Sequence, residues 1–121
     1  MASNNSLRAF NRTRNVTLVS HGVLANTGWA RLKGLLGHAP LAPDEGLLLQ
    51  GEKAIHTVGM SFPIDVLFLD RTGRIVHLIP NMGRLRFSPF VSRADNVLEI
   101  AAGQAARTGT TLGDQIEISY T

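Results

Sequence analysis

The residues best placed to carry chemistry lie in one long, mainly apolar stretch, residues 54–70. Asp65 stands inside an apolar run, and on an extended strand it shares a face with Leu67 and Leu69. A carboxylate in such a place must be hydrogen-bonded, paired or protonated, because an uncompensated buried charge is strongly destabilising. Two interpretations follow: Asp65 caps the backbone N–H groups of a neighbouring turn, or it belongs to a functional site.

Two histidines could join this carboxylate. His56 lies on a predicted strand, and His77 lies on a later strand that is predicted to return alongside Asp65. Two histidines and one carboxylate can hold a metal ion that activates a water molecule for hydrolysis. No H-x-H or H-x-x-x-H pair makes this set obligatory. A metal-assisted hydrolase using His56, Asp65 and His77 is therefore an alternative hypothesis, not the leading one.

The leading hypothesis is a non-catalytic module that binds a small ligand or a protein segment in a groove around His56 and Asp65. Catalytic and nucleotide-binding signatures are missing: the chain has no G-x-S-x-G, no G-x-G-x-x-G and no Walker loop, and it has no cysteine. No cofactor is therefore predicted, and an enzyme is not favoured. The predicted ligand-binding residues are His56, Thr57, Met60, Phe62 and Asp65, with Arg31 and Arg86 as counter-charges.

Glu99 is a further acidic residue inside an apolar run. On a strand it faces opposite to Leu98 and Ile100. The sequence predicts that its side chain lies on an exposed face or pairs with an arginine, with Arg31, Arg84 and Arg86 as the possible partners.

The distribution of charge suggests a third hypothesis. Residues 1–43 carry five basic and no acidic residues, whereas residues 44–121 carry seven basic and nine acidic ones. The basic N-terminal region, residues 8–33, together with Arg84, Arg86 and Arg93, could contact nucleic acid or an anionic surface. Phe10 is the only aromatic residue before Trp29, although single-strand-binding modules interleave aromatic and basic residues. A solvated basic tail is thus favoured, and nucleic-acid binding is not expected.

The length of 121 residues indicates one domain. We expect a basic, poorly ordered segment over residues 1–15 and a single domain over residues 16–121. No apolar run approaches the roughly 18–20 residues of a membrane span, and no secretory signal is present, so a cytoplasmic protein is expected.

Short apolar or alternating segments between glycine and proline turns predict many strands. An antiparallel hairpin is expected between residues 64–69 and 74–79, closed at Gly73. One short α-helix is predicted near residues 27–36, and a single helical turn over residues 104–107. The fold class is all-β, a mainly antiparallel sandwich or small barrel. The other predicted strands cover residues 16–20, 46–50, 54–58, 84–87, 97–101 and 116–120, and residues 23–25 extend or pair the first of these after a turn at His21-Gly22.

Several motifs together resemble the domain of unknown function family 192 (DUF192), a family of small, β-rich, mainly prokaryotic proteins, over roughly residues 16–119. The motifs are R-x-x-G-L-L from Arg31, E-G-L-L from Glu45, I-H-T-x-G-M-x-F-P-I-D-V-L-F-L-D-x-x-G from Ile55, V-L-E-x-x-x-G from Val97, and G-D at Gly113.

The resemblance implies a compact β-sandwich or barrel with a short helix, and it implies no reaction. Many members have Trp-Met where this chain has His56-Thr57, which leaves Asp65 and Pro63 as the more family-typical features. Members of the His-Thr type often carry a cysteine four residues before the histidine. Here that position is Glu52, so a thiol-based role does not transfer.

Overall fold

The strands form where the chain alternates or accumulates apolar residues between turns. The structure, a computed structural model, describes residues 6–25 and 40–121. Its strands are β1 (Ser6–Asn11), β2 (Val16–Ala25), β3 (Glu45–Gln50), β4 (Ile64–Leu69), β5 (Ile75–Met82), β6 (Asn96–Ala101) and β7 (Ile116–Tyr120), and a short helix α1 spans Gln104–Thr108.

The seven strands form one curled sheet in the order β5-β4-β6-β3-β2-β1-β7. Neighbouring strands pair antiparallel except β2 and β3, which pair parallel. The two ends of the sheet approach each other, because Arg74 and Gln115 form an isolated bridge and the Ile75 N–H donates to the Asp114 carbonyl at 2.9 Å. The mainly antiparallel all-β class is confirmed, and its form is a half-barrel rather than two stacked sheets.

Both faces of the central strands are covered. All six residues of β4 are buried. Leu67 and Leu98 belong to the core cluster on one face, and Val66 and Val97 belong to the cluster on the other. Glu99 lies opposite Leu47 of β3 and Val66 of β4, so its side chain is on the same face as Val66 and Val97.

The N-terminal segment corrects one expectation. Residues 6–11 are not a disordered tail but strand β1, which pairs with β2 on one side and β7 on the other. Leu7 and Ala9 alternate inward and are fully buried. At the end of β1, the Asn11 side-chain amide donates to Asp114 at 3.0 Å, and three residues later the Arg14 guanidinium donates to the same carboxylate at 3.0 Å. This partly buried network fastens the segment to the rest of the sheet.

Two predicted strands differ from the observed structure. Residues 54–58 and 84–87 contribute an isolated bridge between His56 and Phe87 instead of two strands. Both segments lie in connections whose backbone groups pair with each other. The predicted helical turn over residues 104–107 is confirmed as α1, whereas the helix predicted near residues 27–36 lies outside the described residues. No helix in the described ranges is long and apolar enough to cross a membrane.

Gly46 on β3 lets the backbone of this strand approach Val19 of β2 and Glu99 of β6 closely. A Cβ atom on Gly46 would lie 2.7 Å from Val19 Cγ2 and 3.2 Å from the Glu99 carbonyl oxygen. We expect Gly46→Ala to lower the free energy of unfolding by about 2 kcal/mol through overpacking. Gly83→Ala is the control, because a Cβ there meets nothing within 4 Å and should change stability by less than about 0.5 kcal/mol. Urea unfolding of both variants checks this, and equal effects would contradict it.

Candidate functional site

Asp65 is a capping residue inside the core. Asp65 is only 1% exposed, and both oxygens of its carboxylate accept hydrogen bonds from backbone N–H groups. Asn81 N–H donates to Oδ1 at 2.8 Å, and Gly103 and Ala105 N–H donate to Oδ2 at 3.1 and 3.0 Å. Gly103 is the N-cap of α1 and has no side chain to cap the helix, so Asp65 from β4 supplies the acceptor.

The other predicted groove residues are distributed over two environments. His56 is exposed, its Nδ1 accepts from the Val58 N–H at 3.3 Å, and its ring lies 5.9 Å from that of Phe87. Met60 and Phe62 are buried in the same core cluster as Val66. His56 therefore reaches solvent, whereas Met60 and Phe62 pack the interior.

Thr57 ties two loops together. It is fully buried, and its hydroxyl donates to the Gly83 carbonyl at 2.6 Å and accepts from the Arg86 N–H at 2.9 Å. The Arg86 side chain is exposed and lines a shallow depression beside Phe87. Arg31 lies outside the described residues. No arginine from the described residues therefore stands as a counter-charge beside both His56 and Asp65.

The predicted metal-binding trio is dispersed. His77 is half-buried on β5, where its ring packs edge-on against Phe68 at 5.5 Å. Asp65 is occupied by three backbone N–H groups, and His56 lies on a surface loop. Within residues 6–25 and 40–121, no three histidine, cysteine, aspartate or glutamate side chains gather as metal ligands.

A cavity of about 120 Å³ lies where β3 and β6 meet the loop that follows β3. Its floor includes Glu99, which is only 2% exposed, and Ile55, which is 9% exposed. Exposed residues form the rim, among them Glu52 and His56. The described lining consists of Leu49, Glu52, Ala54, Ile55, His56 and Glu99.

The Glu99 carboxyl is the unusual group in this cavity. Among the described residues it has no hydrogen-bond or ion-pair partner, although buried carboxyl groups are ordinarily paired. Burial raises the pKa of Glu99 from 4.5 to about 8. At neutral pH the Glu99 carboxyl is therefore mostly protonated. Such a group can donate an O–H hydrogen bond, or it can lose its proton when a cation enters.

One of the two alternatives for Glu99 was wrong: the side chain is buried rather than exposed, and neither Arg84 nor Arg86 pairs with it. The third arginine considered, Arg31, lies outside the described residues. Alternation along β6 does place it on the face opposite Leu98. That second face is covered as well, because the curled sheet buries both sides of β4 and β6. An acidic residue within V-L-E-I-A was the available signal, but it could not distinguish a solvated face from a covered one.

The fold and the site define a small half-barrel protein with an acidic, partly apolar cavity. The family model of DUF192, described as uncharacterized ACR, matches residues 11–118, and the chain belongs to that family. This confirms the resemblance drawn from the motifs. No curated protein matches the chain.

Two solved structures share the fold. One is a protein of unknown function from Novosphingobium aromaticivorans DSM 12444, with 24% identity and a TM-score of 0.74, covering 93% of this chain and 83% of its own. The other is a proposed transcription regulator from Sinorhizobium meliloti 1021, with 28% identity and a TM-score of 0.73, covering 93% of this chain and 91% of its own.

Proposed function

We propose that the protein is a non-catalytic accessory module that binds a small ligand in the cavity at Glu99 and His56. The observation that carries the proposal is the Glu99 carboxyl, which is buried, lines a cavity and lacks a partner among the described residues. An unpartnered buried polar group is destabilising, and a ligand that pairs with it removes that penalty. His56 and Glu52 at the rim add polar groups that can orient the ligand.

The charges of the cavity favour a ligand with an amino group. Glu52 and Glu99 are acidic, and no lysine or arginine occurs in the described lining. Leu49, Ala54 and Ile55 provide an apolar wall. A cavity of about 120 Å³ is somewhat smaller than the roughly 150 Å³ cavity that accepts benzene, so it fits about five non-hydrogen atoms. A short alkylammonium group matches both the charge and the size.

The two alternative functions have less support from the geometry. The proposed metal site would need His56, Asp65 and His77 together, and these residues point to three separate environments. In the N-terminal region, Arg12 pairs with Glu117 at 3.3 Å and Arg14 pairs with Asp114 at 3.0 Å. Those arginines are partly neutralised, so the described residues do not favour this region as a nucleic-acid surface, although one structural neighbour carries a regulator's name.

The test is a matched set of three probes: n-butylamine, n-butanol and propionate. We expect n-butylamine to bind with a Kd on the order of 1 mM, and the other two at least tenfold more weakly. NMR titration should show shifts at residues 49–56 and 99. As the pH is raised toward 8, the affinity for n-butylamine should rise by up to about tenfold per pH unit, because binding displaces the Glu99 proton.

Two variants complete the test. Glu99→Gln should weaken amine binding about 10–100-fold, since a charge-assisted hydrogen bond is lost. Glu117→Gln is the control, because Glu117 is an exposed residue on β7 that does not line the cavity. Binding of n-butanol in place of n-butylamine would overturn the ligand class. Binding of none of the probes, or identical titrations for both variants, would overturn the cavity as the site.

A further inference from the structure

A second surface of the molecule exposes large apolar side chains. Leu85 is 65% exposed, Phe87 75% and Phe90 71%, and Val58 beside them is 42% exposed. Isolated exposed apolar residues are ordinary, but a group of them within one local surface marks an interaction site. We call residues 84–93 together with Val58 the basic-aromatic surface.

The backbone of this surface is not a free loop, because hydrogen bonds attach it to a neighbouring segment. Residues 53–57 run alongside residues 86–91: Thr57 N–H donates to the Arg86 carbonyl at 2.9 Å, and Ser88 N–H donates to the Ile55 carbonyl at 2.9 Å. Val91 N–H donates to the Lys53 carbonyl at 2.8 Å. The apolar side chains are thus presented outward on a fixed backbone, which lowers the entropy lost on binding.

Leu85 occupies an unusual backbone position. Its φ angle is 55°, in the left-handed region where glycine and asparagine are preferred. Nothing in the core explains a leucine there, because the residue is mostly exposed. A strained residue that presents an apolar side chain to solvent indicates a functional contact at the tip of this turn.

The charged residues within the basic-aromatic surface are all arginines. Residues 71–94 contain five arginines and no acidic residue. Arg84, Arg86 and Arg93 are exposed, and none of them forms an ion pair within the described ranges. The surface therefore combines protruding apolar groups with unpaired guanidinium groups.

We propose that the basic-aromatic surface docks on a lipid bilayer that contains anionic lipids. Protruding leucine and phenylalanine side chains enter the boundary between headgroups and acyl chains, while arginines contact the anionic headgroups. Leu85 at the tip has no ring to stack on a base, which favours lipid over nucleic acid. The docked region is distinct from the described lining of the cavity except at His56, whose ring contacts Phe87.

The experiment is cosedimentation of the full chain with vesicles of phosphatidylcholine containing 30% phosphatidylglycerol, and with vesicles of phosphatidylcholine alone. We expect binding to the anionic vesicles at 50 mM salt, and at least tenfold weaker binding to the neutral ones. Raising the salt concentration to 500 mM should weaken anionic binding strongly. Arg84→Gln with Arg86→Gln should weaken it about 25-fold, since each basic residue contributes about fivefold.

Leu85→Gly separates docking from folding. Glycine suits the left-handed backbone at this position, so the variant should fold at least as well as the parent while it binds vesicles several-fold more weakly. Leu112→Gly is the matched control, because Leu112 is 60% exposed but lies outside the surface. No binding to anionic vesicles, equal binding by both leucine variants, or tighter binding to a single-stranded oligonucleotide than to the vesicles would each overturn the proposal.

Discussion

Replacing Asp65 with alanine should lower the free energy of unfolding by about 3–5 kcal/mol. The substitution leaves three backbone N–H groups without acceptors, those of Asn81, Gly103 and Ala105. Each buried donor that loses its partner costs about 1–3 kcal/mol. Two of the three belong to the first turn of α1 and its N-cap, so we expect α1 to fray as well.

Asp70 provides a matched control at the other end of the same strand. Its Oδ1 also accepts three hydrogen bonds, from Thr72 N–H at 2.9 Å, from the Thr72 hydroxyl at 2.7 Å and from Arg74 N–H at 3.0 Å. This turn is open to water, which can replace the lost acceptor. Asp70→Ala should therefore cost about 1 kcal/mol or less.

Urea unfolding followed by circular dichroism measures both variants. If Asp65→Ala does not fold, Asp65→Asn replaces it in the test. Asparagine keeps one acceptor oxygen, so the unfolding free energy of this variant should lie between those of the alanine variant and the parent. Equal losses for the two alanine variants would contradict the capping role of Asp65. A small loss at Asp65 would return the carboxylate to the list of functional candidates.

Local chemistry is sufficient to predict the hairpin of β4 and β5. The run from Ile64 to Leu69 is apolar throughout, and Asp70 and Gly73 form a turn that the returning strand follows. Gly73 has a φ of 90°, which glycine adopts without strain. Each of these signals is close in sequence to the structure it specifies, and for that reason the pairing could be predicted.

Long-range contacts account for the features that the sequence did not predict. The alternation of Leu7 and Ala9 was a weak strand signal beside several arginines, and β1 is secured by pairing with β7 more than 100 residues away in the chain. Asp65 is conspicuous in the sequence, but its partners Gly103 and Ala105 lie 38 and 40 positions further on. A pattern of residue types identifies a carboxylate within an apolar strand, but it does not identify the groups that donate hydrogen bonds to it.

The candidate site could be predicted only in part. His56 was identified and does line a cavity, whereas Glu99 was expected either on an exposed face or beside an arginine. Alternation determines which face of a strand a residue occupies, and it does not determine whether that face is covered. Coverage depends on the curl of the whole sheet, which brings the loop after β3 over β6.

Glu99→Gln should stabilise the protein at high pH and leave its stability nearly unchanged at low pH. In the folded protein, burial keeps the Glu99 carboxyl protonated up to a pKa of about 8, whereas in the unfolded chain it ionises near 4.5. The folded state therefore holds one more proton between these two values, and stability falls by about 1.4 kcal/mol for each pH unit. The stability that depends on a protonated Glu99 carboxyl is fully present below pH 4.5. It is lost as the pH rises from 4.5 to 8.

Glutamine has the shape and the neutrality of the protonated acid, so it removes this dependence. The difference in unfolding free energy between Glu99→Gln and the parent should grow from near zero at pH 4.5 to about 4 kcal/mol at pH 8. Other carboxyl groups titrate in both proteins and cancel in the difference. Glu117→Gln, at an exposed site, should show a flat difference of less than about 0.5 kcal/mol.

A flat difference for Glu99→Gln as well would mean that the Glu99 carboxyl is ionised or paired in the folded protein. A rising difference would mean that one side chain has two opposite effects, since the same substitution that stabilises the ligand-free protein should weaken amine binding. A residue that weakens the fold and strengthens ligand binding is retained for function rather than for stability. Glu99 is the residue of this cavity to which that argument applies, because it is buried among apolar side chains and has no described partner.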